Sequence, residues 1–384
     1  MNSKLLLLLT MSISLLIGCQ PTSSTPTPVS SSPWVEEDIT FPFDSNKMHG
    51  ILTLPTSKGP HPAIAIISGS VNLSTGIRSG STELYQINHA HKMVLEGFAV
   101  LRYDPPGVGK STGEVGFQSL KNRSEEAIAA LRYLQSRDDI MSNKVGLWGI
   151  SQGGWVISMA AADYPQDVAF IIPVSGSGVS VAEQQVHSIE SESTDAGFAE
   201  EDITKAVIIG RLLVDWQLVN PIFKEANLLD AQSLGEGPWE SFMELVYEPG
   251  DITPAEGYLQ GIEILQSIQD EDWAQFLYLK ELYLPQLESI PPEQAEALKA
   301  ISGPTLLENP KDSWTRVKCP VLAIFGEVDL LQPSEKSAAL YEQYLTEAGN
   351  ENFTIEILPG EGHSTFLRKP IYWEPLSEWL ENLY

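Results

Sequence analysis

The sequence predicts an α/β protein, a doubly wound and mostly parallel sheet with a helical cap inserted late in the chain. Three observations carry that expectation. Short apolar runs, such as His61–Ile67, Phe98–Tyr103 and Val168–Val174, alternate with longer stretches of helical apolar spacing. The His61–Ile67 run is nearly continuous in its apolar residues, as a strand buried on both faces of a parallel sheet must be. And three residues of complementary chemistry, Ser151, Asp329 and His363, each stand just past the end of an apolar run, where open α/β sheets place their sites.

Residues 1–18 lie outside this pattern. Lys4 supplies a positive start, and Leu5 to Ile17 form an apolar stretch too short for a comfortable membrane span. Leu16-Ile17-Gly18-Cys19 resembles the lipobox of bacterial lipoproteins, in which the cysteine is lipidated and becomes the new N-terminus. An ordinary secretory signal that ends in cysteine is the alternative. Residues 20–33 are almost entirely Ser, Thr and Pro, a tether that cannot pack a core. The expected layout is a signal peptide over 1–18, a lipidated Cys19 with its tether over 19–33, and a folded domain held at a membrane of the bacterial cell envelope without spanning it. Which membrane is left open. With Cys19 taken by the anchor, Cys319 remains alone, so no internal disulfide and no zinc pattern is available. No metal or cofactor is expected.

The folded part opens with two strands, around Val35–Phe43 and Met48–Leu54, joined by the turn Asp44-Ser45-Asn46. The buried strand His61–Ile67 follows and ends in Ser68-Gly69-Ser70. A helix near Leu84–Glu96, the strand Phe98–Tyr103 and a helix over Leu120–Ser136 lead to the strand Lys144–Trp148 and the helix Trp155–Ala162. After the strand Val168–Val174 the alternation stops. Residues 179–313 are acidic, helical in pattern and aromatic-rich, with Trp216, Trp239, Phe242, Tyr247, Trp273, Phe276, Tyr278 and Tyr283. Glu200-Glu201-Asp202 ahead of Ile203–Leu218 puts negative charge at a helix start. An insertion of this size over strand ends reads as a cap, whose aromatics chiefly build its own small core. Sheet alternation then resumes with the strands Pro320–Ile324 and Phe353–Leu358 and the helices Ser334–Ala348 and Ile371–Leu383. The α/β core is thus expected over 34–178 and 314–384.

The densest chemistry is Gly149-Ile150-Ser151-Gln152-Gly153, a serine between glycines at the turn from a strand into a helix. A nucleophilic serine needs a cramped turn that lifts its hydroxyl clear of the backbone, and side chains at Gly149 and Gly153 would collide with the neighbouring helix and strand. The helix that follows points its N-terminus at the reacting centre, so the Gln152 N–H faces a developing oxyanion. Five-residue patterns recur by chance. Here, however, Asp329 follows the strand Pro320–Ile324 in Gly326-Glu327-Val328-Asp329, and His363 follows the strand Phe353–Leu358 in Gly360-Glu361-Gly362-His363. Nucleophile, acid and base in that chain order form a recognisable set.

Taken together, Ile67–Ser70, Arg102-Tyr103-Asp104-Pro105-Pro106-Gly107-Val108-Gly109-Lys110-Ser111-Thr112-Gly113, the Ser151 elbow, Gly326–Asp329 and Gly362-His363 resemble the α/β-hydrolase superfamily, in particular capped bacterial serine hydrolases grouped with serine aminopeptidase-like and dienelactone-hydrolase-like esterases. The resemblance covers residues 35–384. It implies Ser151 as nucleophile, His363 as base, Asp329 as acid, and the backbone N–H groups of Ser70 and Gln152 as the oxyanion hole. Glu327 is the rival acid, disfavoured by spacing. Some relatives carry the acid after the strand ending at Val174, but Ser175-Gly176-Ser177-Gly178 offers no carboxylate. Two departures stand out: Pro106 where relatives often have arginine, and Val71 where they often have a further glycine.

The formal net charge of −28 argues against nucleic-acid binding, which needs a basic footprint. The segment Gly107–Ser111 has the look of a phosphate loop but carries Asp104 where the first glycine belongs, so it is a structural turn. The remaining function classes are a hydrolase of small ester or thioester substrates, an aminopeptidase-like exopeptidase, and a non-catalytic surface-anchored binding module. The exopeptidase requires a carboxylate to hold a free amine, and the acidic cap offers many without choosing one. Oligomeric state is not legible.

Overall fold

The computed structural model describes residues 32–70, 77–116, 118–218, 254–294, 308–364 and 370–384. The signal segment, Cys19 and the tether up to residue 31 lie outside the described residues, as do Trp239, Phe242, Tyr247 and the side chain of Trp216.

Eight strands form one sheet in the order β1-β2-β4-β3-β5-β6-β7-β8. They are β1 Trp34–Phe43, β2 Asn46–Pro55, β3 His61–Ile67, β4 Ala99–Tyr103, β5 Ile140–Ile150, β6 Ile171–Val174, β7 Val321–Gly326 and β8 Phe353–Leu358. The hairpin β1–β2 is antiparallel and adds antiparallel to β4, while β4, β3, β5, β6, β7 and β8 run parallel. The fold is the doubly wound α/β sheet the sequence predicts. The longer helices of the core are α1 Leu84–Met93, α2 Leu120–Gln135, α3 Gly153–Asp163, α7 Ser334–Glu347 and α8 Pro370–Glu381. Between β6 and β7 the described residues add α4 Val181–Asp195, α5 Glu200–Leu218 and α6 Pro254–Ile268.

Because side chains alternate across a strand, the buried strands feed two apolar layers. Ala63, Ala65, Ile67, Val145 and Leu147 pack with Ala127, Leu131 and Leu134 of α2, with α3 and with Tyr341 and Leu345 of α7. Ile64, Ile66, Trp148, Ile150, Ile172 and Ile324 face the other way, against Ala90 and Met93 of α1 and Tyr372, Leu376 and Leu380 of α8. A third cluster belongs to the inserted helices alone: Ile189, Ile209, Leu213, Tyr258, Leu265, Trp273 and Leu277. Of the described cap aromatics, Trp273 thus serves the insertion's own core as expected, with Tyr283 packed against it.

Boundaries shift by small amounts, for local reasons. The helix expected to run to Glu96 ends at Met93, because Gly97 takes a φ of 88° and Phe98 N–H turns back to Met93 O at 3.2 Å. The elbow strand begins at Ile140, which already pairs with His61. The strand expected to start at Pro320 starts at Val321, and the carbonyl of Cys319 just ahead of it accepts from Asn350 Nδ2 at 2.9 Å. The chain is back on the core before residue 314: Ser313 Oγ is 2.9 Å from Ser158 Oγ of α3, and Trp314 is fully buried in the first layer.

Candidate active site

Strand β5 delivers the elbow. Ser151 has a φ of 52°, a left-handed conformation that costs a non-glycine residue on the order of 1–3 kcal/mol and persists only where its surroundings impose it. They do so here through both of its backbone groups: Ser151 N–H donates to Val174 O at 2.8 Å, and Gly154 N–H donates to Ser151 O at 2.8 Å. The flanking glycines are required by close approach. A Cβ on Gly149 would stand 2.6 Å from Gly153 O, and one on Gly153 would stand 2.9 Å from Ile67 O of β3.

The acid and base come from the loops after β7 and β8. Asp329 Oδ2 and His363 Nδ1 are 2.8 Å apart, with the Asp329 side chain fully buried and that of His363 19% exposed. Asp329 Oδ1 accepts the N–H groups of Leu331 and Gln332 at 2.8 and 3.0 Å, so the carboxylate is fixed before it meets the imidazole. With Oδ2 accepting the Nδ1 proton, Nε2 is left as the basic nitrogen. Glu327, the rival acid, is turned elsewhere: its Oε2 accepts from Gly360 N–H at 2.7 Å.

The end of β6 joins the two halves. Val174 O receives the Ser151 N–H, and the next residue, Ser175, donates its hydroxyl to His363 O at 3.1 Å. Ser175 is itself left-handed, with a φ of 47°, and its N–H is bound to Ile324 O of β7 at 2.8 Å. Elbow, imidazole loop and acid strand therefore converge on two adjacent residues. The loop after β3 closes the remaining side, since a Cβ on Gly69 would lie 3.5 Å from that of Ser151. Ser70 follows at an exposed position. Among the described residues, neither the Ser70 nor the Gln152 N–H is spent on another hydrogen bond.

Two other histidines are held in structural roles. His49 bridges Asp104 and Asp38, and His89 lies buried between Tyr85 O and the Tyr372 hydroxyl. Asp104, in the glycine-rich stretch, also accepts from the N–H groups of Ser81 and Lys110. It is the centre of a turn.

Two residues that sequence reasoning did not single out stand beside the site. Arg123 of α2 is buried, and its Nη2 donates to Ser68 O at 2.6 Å and Gly69 O at 3.0 Å while Nη1 binds Gln152 Oε1. Burial, with Arg78 adding repulsion, brings the guanidinium down to about 9, still protonated at neutral pH. The available signal was an arginine on the apolar face of an otherwise amphipathic helix. The second is Glu192 of α4. That helix is tied to the loop carrying Asp329, with Gln184 Nε2 donating to Leu331 O at 2.7 Å and Ser191 Oγ to Leu330 O. Glu192 Oε1 accepts from the Tyr278 hydroxyl at 3.3 Å, and its buried Oε2 has no partner. Burial raises its pKa, against the Tyr278 hydrogen bond and the charge of His363.

The chain resembles several known proteins. Residues 24–206 match the family model described as X-Pro dipeptidyl-peptidase (S15 family). An uncharacterized 31.7 kDa protein of the Escherichia coli traX-finO intergenic region is 22% identical over 290 residues, 75% of this chain and 80% of that one. The quorum-quenching protein AidA of Acinetobacter baumannii (strain MDR-ZJ06) is 33% identical over 125 residues, 32% of this chain and 38% of its own length. Among solved structures, proline iminopeptidase of Mycobacterium smegmatis superposes with a TM-score of 0.51 at 16% identity, over 90% of this chain and 98% of that one. The chain has the α/β-hydrolase fold, and residues 24–206 are similar to that peptidase family. It is a hydrolase.

Proposed function

We propose that the protein is a serine hydrolase that cleaves small carboxylic esters or thioesters through an acyl-enzyme. Ser151 Oγ attacks the substrate carbonyl as His363 Nε2 takes its proton, and the Ser70 and Gln152 N–H groups receive the oxyanion. Collapse of the tetrahedral adduct expels the alcohol or thiol, which leaves with the proton from His363. Water, deprotonated by the same nitrogen, then releases the acid and regenerates Ser151. Asp329 keeps the Nδ1 proton in place and stabilises the imidazolium. The observation that supports this reading best is the shared anchorage of the Ser151 elbow and the His363 loop on Val174 and Ser175, with Asp329 bound to the far nitrogen. A fluorophosphonate probe tests it. Wild type should be labelled at Ser151 and Ser151→Ala should not; labelling of another serine would reject the assignment.

An aminopeptidase-like exopeptidase is the second reading. Glu192 favours it, as a half-buried carboxylate with one unpartnered oxygen on the helix fastened to the Asp329 loop. A free substrate ammonium would supply the missing partner. The family model's description as a dipeptidyl-peptidase points the same way. Rates on p-nitrophenyl esters against aminoacyl-p-nitroanilides decide between the two. In either case residues 179–313 act as the cap over the site.

Cys19 as a lipid anchor rests on the Leu16–Cys19 pattern and the Ser/Thr/Pro stretch behind it. Full-length protein should partition with membranes, and Cys19→Ser should go to the soluble fraction or stay unprocessed at that residue.

A further inference from the structure

We propose that Arg123 is a positioning residue of the oxyanion hole, setting both of its donors from behind. The proposal rests on the reading in which Ser70 and Gln152 N–H receive the oxyanion. The Gly69 carbonyl and the Ser70 N–H belong to one peptide group, so a cation bound to Gly69 O polarises the very amide that faces the substrate. Arg123 Nη2 makes that bond at 3.0 Å, and the same nitrogen holds Ser68 O at 2.6 Å. Charge-assisted bonds of this kind are roughly twice as strong as neutral ones, and a bonded carbonyl makes its own N–H a better donor. Nη1 meanwhile fixes the side chain of Gln152, whose N–H is the second donor. A single planar guanidinium thereby sets the spacing between the β3 loop and the elbow.

The surroundings argue that this cation is not merely half of a structural ion pair. Among the described residues no carboxylate lies within ion-pair distance of Arg123, and its buried Nε has no hydrogen-bond partner. An unpaired buried charge is costly. Its field acts instead on the carbonyls and the amide it touches, and through them on the point where negative charge develops. One turn further along α2, Glu126 accepts both terminal nitrogens of Arg78, at 3.1 and 2.8 Å. Arg78 lies ten residues beyond Ser68 in the chain. The same face of α2 therefore grips the chain on both sides of the segment that carries Ser70. A lysine at 123 keeps the charge but lacks the fork that spans three acceptors.

Arg123→Met and Arg123→Lys test the proposal, with Ser151→Ala alongside. In Arg123→Met, kcat should fall about 100-fold with KM within threefold, because only the transition state carries the oxyanion. Arg123→Lys should fall in between. Affinity for a trifluoromethyl ketone, which forms a tetrahedral oxyanion on the serine, should drop in proportion to kcat/KM across the set. A purely structural arginine would lower the melting temperature without that proportionality. Should Arg123→Met not fold by circular dichroism, Arg123→Lys decides on the same two readouts. A kcat within threefold of wild type in the folded variants, or a loss confined to KM, overturns the proposal. If Ser151→Ala itself stays active and the fluorophosphonate labels elsewhere, the serine-hydrolase reading has failed. An inactive Ser151→Ala beside a normal Arg123→Met rejects Arg123 alone.

Discussion

The sheet and the inserted helices hold their share of the site in different ways. The sheet does so through backbone: Ser151, Ser175 and Asp329 are fixed by main-chain N–H and C=O groups at strand ends, above strands buried on both faces. The insertion has a separate apolar cluster and reaches the site with side chains on one helix, Gln184 and Ser191 to the loop and Glu192 beside it. Backbone geometry of the first kind suits a reaction common to many substrates. Side chains on a helix face can be exchanged without disturbing the sheet, which suits the choice among substrates.

The sharpest way to break that division is at the elbow. Ser151→Ala should cut kcat by about a millionfold while leaving the unfolding temperature near wild type, since it removes the proposed nucleophile and no packing. Steady-state rates and thermal denaturation on the same preparation check both halves. Next comes the acid. Asp329→Asn should cost about ten-thousandfold by letting the wrong imidazole tautomer face Ser151. Glu327→Gln, whose carboxylate serves Gly360 N–H, should cost little. The reverse ranking would mean that the loop acts through Glu327.

What could be read from the sequence follows the same line. Ser151, Asp329 and His363 stand out in the sequence as candidates because each is a local event, a strand end followed by a turn of restricted composition. The Asp329–His363 pairing at 2.8 Å and the separation of Glu327 from it follow the predicted spacing. The helices were legible in their interiors, while ends such as Met93 depended on a glycine turn. Arg123 and Glu192 were not legible as site residues. Their partners are 54 and 86 residues distant in the chain at Gly69 and Tyr278, and no local pattern records contacts of that range. Ser175 was read only as lacking a carboxylate, and its tie to His363 O spans 188 residues.

A stability measurement sharpens the picture of the sheet. His89 of α1 is fully buried, and its ring is read as neutral from its partners: Nδ1–H donates to Tyr85 O at 2.7 Å, and Nε2 accepts from the Tyr372 hydroxyl at 3.0 Å, which in turn accepts from Trp148 Nε1 at 2.9 Å. Burial holds its pKa down to about 4 in the folded state, against 6.5 as the ordinary value. Between those pH values the unfolded chain takes a proton that the native one refuses, so stability falls as pH falls through that window. The full term is about 3 kcal/mol, and about 2 kcal/mol of it is lost by pH 5. Urea unfolding at pH 7.5 and 5 should show this slope in wild type and a shallower one in His89→Gln. Equal slopes would mean that His89 is protonated in the fold.

The smallest expected effect tests the inserted helices. Glu192 should matter for charged substrates and not for neutral ones. Glu192→Gln keeps the shape and the Tyr278 hydrogen bond but removes the charge, so KM for an aminoacyl-p-nitroanilide should rise about tenfold, the equivalent of 1.4 kcal/mol. Neutral p-nitrophenyl esters should be hydrolysed at nearly the wild-type rate. The pH dependence carries a second signature. Because burial raises the Glu192 pKa, its carboxylate becomes charged only above the usual range for a glutamate. The KM for the cationic substrate should therefore fall as pH rises through that shifted value, with no matching change for neutral esters. In Glu192→Gln that difference between the two substrates should vanish. If the variant instead lowers kcat equally on both, Glu192 acts on His363 rather than on the substrate, and the insertion shares in the chemistry it was taken only to direct.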